Sequence, residues 1–241
     1  MLTVDNIRAN LCAKYQALPI VVYDTIDSTN TQAKLSSIDQ GIFVAKHQTA
    51  GRGRQGKSFY SPDSTGLYMS VVLPITPMEA YEFSLTAAAA VAAARAIEEV
   101  CNISVQIKWV NDLYLHGKKV AGILTEADID RVIVGIGINI STESFPADIP
   151  LAGSLDAENI SKSKLAASFA ENLFDITSSK SREFMSEYRS RSMLLGKEIS
   201  FEKDGNAFTA NALRIEDNGE LTVLSNGIEL TLHSGEVQII L

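Results

Sequence analysis

The stretch GRGRQGKS, Gly51–Ser58, continues as FYSPDSTG and leaves no space for a helix. It fits G-x-x-x-x-G-K-[ST], and its first six residues fit G-x-G-x-x-G. A hydrolase phosphate loop needs a helix starting at its Lys-Ser pair, because the helix N-terminus holds the anion. Pro62 and Gly66 allow not even two helical turns before the next strand. The dinucleotide fingerprint fails for the same reason, and it also requires an acid at the end of a second strand, where Leu73-Pro74 stand. A kinase loop does lie between strands, but the chain contains neither HRD nor DFG. What survives is a glycine-rich basic loop of about fifteen residues, long for a mere connection. It joins two strand-like runs, GIFVAKHQ (41–48) and GLYMSVVL (66–73).

The rest of the chain predicts an α+β protein. Residues 5–18 read as an amphipathic helix ended by Pro19, 20–24 as a strand, and 29–37 as a helix with Ser28 at its N-cap. A long Ala-rich helix is expected over roughly 79–100. VQIKWV, DLYLHG, KKVAGILTEA and RVIVGIGINI then follow as consecutive strands, and 161–190 carries two helical patterns. Beyond Leu194 the Asp204-Gly205-Asn206, Asp217-Asn218-Gly219 and Asn226-Gly227 turns separate about five short strands, a pattern suited to a small barrel. The expected division is 1–191 and 192–241.

With 46% hydrophobic and 21% charged residues, the chain can bury a sizeable core. Its net charge of -8 argues against non-specific adhesion to nucleic acid or anionic membrane. Two cysteines without a CxxC or a histidine cluster fit a reducing cytoplasm and argue against a zinc site. No signal peptide or membrane-spanning run is visible.

Gly51, Gly53 and Gly56 let backbone N–H groups face an anion, and Arg52, Arg54 and Lys57 add cationic donors. A solvated basic loop or an RNA-contacting tract is the plainer reading of the same residues. Asn111 and Asp112 are ordinary turn formers as well as candidate ligands. Lys118 and Lys119 are adjacent, so in a strand only one faces inward, and alternation leaves the choice open. Gly122 within a strand hints at close approach of a ligand. Ser28-Thr29-Asn30 put three hydrogen-bonding groups at a helix start, and Asn139 interrupts an apolar strand.

DSTN, QTAGRGRQGK, KWVNDLYLHGKKVAGIL and GIGINI, in this order, resemble the biotin protein ligases over about residues 20–241. The resemblance implies a class II synthetase-like catalytic domain with a mixed or antiparallel sheet and packed helices, followed by an SH3-like C-terminal barrel. It also implies formation of biotinyl-5′-AMP from biotin and ATP with Mg²⁺, then transfer to a lysine of a biotin carboxyl carrier protein. Ser28, Thr29, Asn30, Gln48, Arg52, Gly53, Arg54 and Gly122 would line the biotin site. Lys119, matching the lysine of KKVAG, would bridge carboxylate and α-phosphate; with Arg54 it is the expected catalytic pair. Arg54, Lys57, Phe59, Asn111, Asp112 and Asn139 would serve ATP, with the metal near Asp112 and no protein-only metal cage. Val110 stands where the family usually has Pro, Phe59 where some members have Trp, and Gln55 replaces a common basic residue. The DNA-binding domain of bifunctional members is not expected, nor a nucleic-acid or membrane partner, and the protein would be a monomer or homodimer. A lipoate or octanoate ligase or transferase is the competing reading within this chemistry. A nucleic-acid-binding module is the competing reading from another class.

Overall fold

A computed structural model describes all residues except 83, 158, 180, 204, 205, 234–236, 240 and 241. The first half is built on a seven-stranded sheet: β1 (Ile20–Ile26), β2 (Gly41–Gln48), β3 (Gly66–Leu73), β4 (Gln106–Lys108), β5 (Asp112–Leu115), β6 (Lys118–Ala127) and β7 (Val132–Asn139). Its spatial order is β1-β2-β3-β7-β6-β5-β4. β1 and β2 run parallel, and all other neighbours are antiparallel. The parallel pair needs a crossover, and helix α2 (Thr29–Leu35) supplies it.

The two faces of this sheet are covered differently. On one, α4 (Leu85–Cys101) and α5 (Lys162–Ser179) pack together; α4 is buried on almost every side, which its alanines permit by letting neighbours approach closely. On the other lies α2, seated through Ala33 against Phe43, Val72 and Ile133 in a small separate apolar cluster. This thinly covered face is where a cavity can form.

A seven-residue helix with one buried alanine needs further support. Arg131 provides it, donating to the carbonyls of Lys34, Ser36 and Ile38 at the C-terminal end of α2. Asp128 holds the guanidinium at 3.0 Å, and its own carboxyl lies below the ordinary range because the Ile129 N–H and Arg131 bind the ionised form. Arg131→Ala is expected to lower the unfolding free energy by about 1–3 kcal/mol. Arg131→Lys should recover less than half, since an ammonium cannot span three carbonyls. Urea titration of both variants measures this.

Two expected helices differ. The one expected at 5–18 is α1, only Val4–Asn10, because the Cys12 N–H turns to the Glu171 carboxylate of α5 instead of continuing the ladder. The single helix expected at 79–100 is two, α3 (Pro77–Glu82) and α4, with Ser84 between them at φ 59°. Thr76 and Glu79 form a reciprocal capping box that starts α3 separately.

After α6 (Phe184–Ser190), strands β8 (Glu198–Lys203), β9 (Asn206–Ile215), β10 (Leu221–Ser225), β11 (Ile228–Leu232) and β12 (Val237–Ile239) form a second, antiparallel sheet ordered β11-β10-β9-β8-β12. Asn226 and Gly227 both take positive φ, as a two-residue hairpin requires. The Asp204-Gly205 turn falls outside the described residues. Apolar side chains of this sheet, among them Ile199, Ala212 and Val223, join the main core without a break.

Candidate functional site

The floor of the site follows from strand register. Gly122, Gly137 and Tyr68 align across β6, β7 and β3, and Leu124, Gly135 and Ser70 form the next row. The two β7 glycines are needed because side chains from elsewhere occupy the space a methyl group would take. A Cβ on Gly137 would sit 2.6 Å from Phe59 Cζ, and one on Gly135 would sit 2.8 Å from Asn30 Cγ.

The second row carries a hydrogen-bond network. Ser70 donates to Asn30 Oδ1 at 2.6 Å and lies 2.7 Å from Thr29 Oγ1. Asn30 Nδ2 donates to the Leu124 carbonyl and to Glu126. Both amide protons are therefore used inside the protein, and with Ser70 on Oδ1 only the second lone pair of that oxygen is left for a ligand. At the start of α2, Gln48 Oε1 accepts from the Thr29 N–H at 2.8 Å. Ser28 holds the N-cap position, but its side chain makes no capping bond.

Lys119 reaches the cavity through an irregularity. β5 and β6 pair Asp112 with Gly122 and Leu113 with Ala121, then shift so that Tyr114 faces Lys119. The extra residue in β6 turns Lys119 to the face of Gly122 despite their odd spacing. Lys118 points elsewhere, donating to the Pro150 carbonyl. Lys119 Nζ forms an ion pair with Asp112 Oδ1 at 2.7 Å. Arg54 donates to Asn111 Oδ1 at 3.0 Å, and Asn111 donates to the Ile123 carbonyl.

The basic loop folds back as a hairpin-like flap. Arg52 bridges Ser58, the Gly53 N–H donates to the Lys57 carbonyl at 2.7 Å, and Gln55 adopts φ 55° in a single 3-10 turn over Arg54–Gly56. Phe59 then lies across Gly137 and Gly122, edge-on to Tyr68 at 6.5 Å. Beneath the flap is a cavity of about 320 Å³. Its lining includes Arg52, Arg54, Lys57, Lys108 and Lys119, with Asp112 as its one carboxylate among the described residues. A cavity with this charge balance is built for an anion.

Residues 22–142 match the family model described as the biotin/lipoate A/B protein ligase family. A bifunctional ligase/repressor, BirA, of Bacillus subtilis is 30% identical, the match covering 99% of this chain and 79% of that protein. The chain belongs to this ligase family. A biotin–[acetyl-CoA-carboxylase] ligase of Mycobacterium tuberculosis is 26% identical over 84% of this chain and 80% of its own length. The biotin protein ligase of Aquifex aeolicus, solved with biotin and ATP, superposes with a TM-score of 0.79 at 28% identity. That match covers 92% of this chain and 98% of the other.

Of the residues expected from the ligase resemblance, Ser28, Thr29, Asn30, Gln48, Arg52, Gly53, Arg54, Lys57, Phe59, Asn111, Asp112, Lys119 and Gly122 all line the one cavity. Asn139 does not; it is buried beside it, donating to the Gly153 carbonyl while its Oδ1 has no hydrogen-bond partner. Lys108, Ser70, Glu126, Gly135 and Gly137 complete the arrangement and were not singled out by the sequence. Lys108 opens the KWVND motif and was open to notice. The glycines alternate within GIGINI, a period-two spacing that puts both on one face.

Proposed function

We propose that this chain activates biotin as biotinyl-5′-AMP and transfers the biotinyl group to a lysine of a biotin carboxyl carrier protein. The observation that carries this is the polarity of the cavity: neutral hydrogen-bonding groups at the α2 end, converging cations at the other. Biotin has the same polarity. Its ureido N–H groups suit Asn30 Oδ1, its ureido carbonyl suits the Ser28 hydroxyl, and its carboxylate suits Lys119 and Arg54.

The first step brings two anions together. A carboxylate oxygen attacks the α-phosphorus of ATP, the bond to the β-phosphate breaks, and pyrophosphate leaves. Lys119 and Arg54, each held by a neighbour, offset the repulsion without having to reorganise. The flap with Phe59 excludes water from the mixed anhydride. In the second step the acceptor lysine's amine attacks the acyl carbon, AMP leaves, and the amine loses a proton. No protein nucleophile is needed for either step.

Mg²⁺ fits this donor set. A magnesium ion carried by ATP takes one or two carboxylates, and Asp112, ion-paired with Lys119 at 2.7 Å, is the carboxylate that lines this cavity among the described residues. No cluster of three His, Cys, Asp or Glu side chains that could hold a metal occurs among the described residues. Asp112 would hold the ion, which would neutralise phosphate charge.

We also read residues 192–241 as a small C-terminal domain of SH3-like barrel type whose apolar side chains continue the main core, and Asn139 as bordering the adenosine site. A cytoplasmic location is in keeping with two free cysteines, Cys12 and Cys101. No helix among the described residues is long and apolar enough to cross a membrane.

Thermal shift with Mg-ATP plus biotin, lipoate or octanoate separates the readings. Biotin is expected to raise the melting temperature most, and an adenylate held at about 1,000 times its Kd would add about 4 kcal/mol. A larger shift with lipoate would favour the lipoyl reading instead.

A further inference from the structure

Glu126 belongs to no motif considered above, yet it joins the two halves of the site. Its carboxylate faces both terminal guanidinium nitrogens of Arg52, Nη1 and Nη2, at 3.0 and 2.9 Å, and also accepts from the Asn30 amide at 2.9 Å. Arg52 lies on the flap, and Asn30 lies at the head-group end, on α2. The Glu126 side chain is 18% exposed and that of Arg52 46%, so the carboxylate is the sheltered partner of this forked pair. With its fork taken up by Glu126, Arg52 is in no position to grip a ligand carboxylate bidentately. Lys119 and Arg54 are left for that task.

We infer that Glu126 is a positioning residue that clasps the flap through Arg52 and fixes the Asn30 amide with the same carboxylate, so that the head-group subsite and the flap over it are held as one unit. The inference rests on the proposed activation of biotin for its ligand but not for its geometry, which the contacts of Glu126 with Arg52 and Asn30 set by themselves. Arg52 thereby acts on the flap more than on the carboxylate. A ligand accepted by Asn30 lies under a flap tied to the same carboxylate. Losing the clasp therefore raises the apparent Kd of that ligand and frees the flap with Arg54 on it, while Lys119 on β6 stays where it is.

The experiment compares Glu126→Gln, Arg52→Lys and the double variant with the unaltered chain, each checked by circular dichroism for a native melting profile. The first reading is trypsin nicking of the ligand-free protein at Arg54 and Lys57. Several-fold faster nicking is expected in both single variants, because local opening controls the rate. The second reading is biotin-dependent pyrophosphate exchange, where KM for biotin should rise about tenfold, with a smaller fall in kcat because Arg54 is freed with the flap while Lys119 is not. The double variant should be no worse than the worse single variant, since both remove one interaction. Unchanged nicking, or additive losses in the double variant, would overturn the clasp. Faster nicking together with no biotin-dependent exchange in the unaltered chain would leave the clasp standing and remove the biotin reading instead.

Discussion

Replacing Lys119 with alanine is expected to cut biotin-dependent pyrophosphate exchange by about a thousandfold, the upper range for removing one preorganised charge from a transition state. Lys119 Nζ lies 2.7 Å from Asp112 Oδ1 at the cationic end of the cavity. The ion pair thus fixes where its ammonium sits. The fold should survive the change. Lys119 contributes its backbone to the bridge with Ala152, through bonds to Leu151 and Gly153, and alanine keeps both. The side chain is a third exposed, so its loss opens no core cavity. The decisive comparison is exchange rate against melting temperature. A large fall in the first with a shift of only a few degrees in the second assigns Lys119 to the chemistry. Wild-type exchange in Lys119→Ala would remove it from the mechanism.

Gly135→Ala is expected to act at the other end. The new methyl group would meet Asn30 Cγ at 2.8 Å and Nδ2 at 3.0 Å. Asn30 is 3% exposed and bonded to Ser70, Leu124 and Glu126, so it cannot move aside without breaking some of these. Losing two such bonds costs about 2–4 kcal/mol. Biotin KM should rise about a hundredfold, and KM for ATP far less, because the cationic end lies apart. Steady-state titration of each substrate reads the difference. Equal increases for both substrates would mean that the methyl group distorts the whole sheet.

The pair Lys118-Lys119 shows where the sequence stops being legible. Strict alternation puts Lys119 on the face opposite Gly122. Only the register shift between β5 and β6 puts them together, and nothing in KKVAG announces an extra residue. The family resemblance pointed to Lys119, whereas the strand pattern could not. Strand limits were easier: GIFVAKHQ, GLYMSVVL and KKVAGILTEA coincide with β2, β3 and β6, since β-branched and aromatic runs bounded by glycine or turn residues leave little choice. Helix limits were harder. The Cys12 N–H bonds to Glu171 in a helix over 150 residues away, and no local signal carries such a partner. Glu126 and Ser70 escaped for the same reason. Their meaning comes from Asn30, 96 and 40 residues distant.

The central claim is that this chain couples biotin, and not a lipoyl or octanoyl acid, to AMP. Isotope exchange between pyrophosphate and ATP tests it most directly, run with Mg²⁺ and each of the three acids in turn. The account predicts exchange that depends on biotin and is near background with lipoate or octanoate. Faster exchange with lipoate or octanoate, or none with biotin, would contradict it.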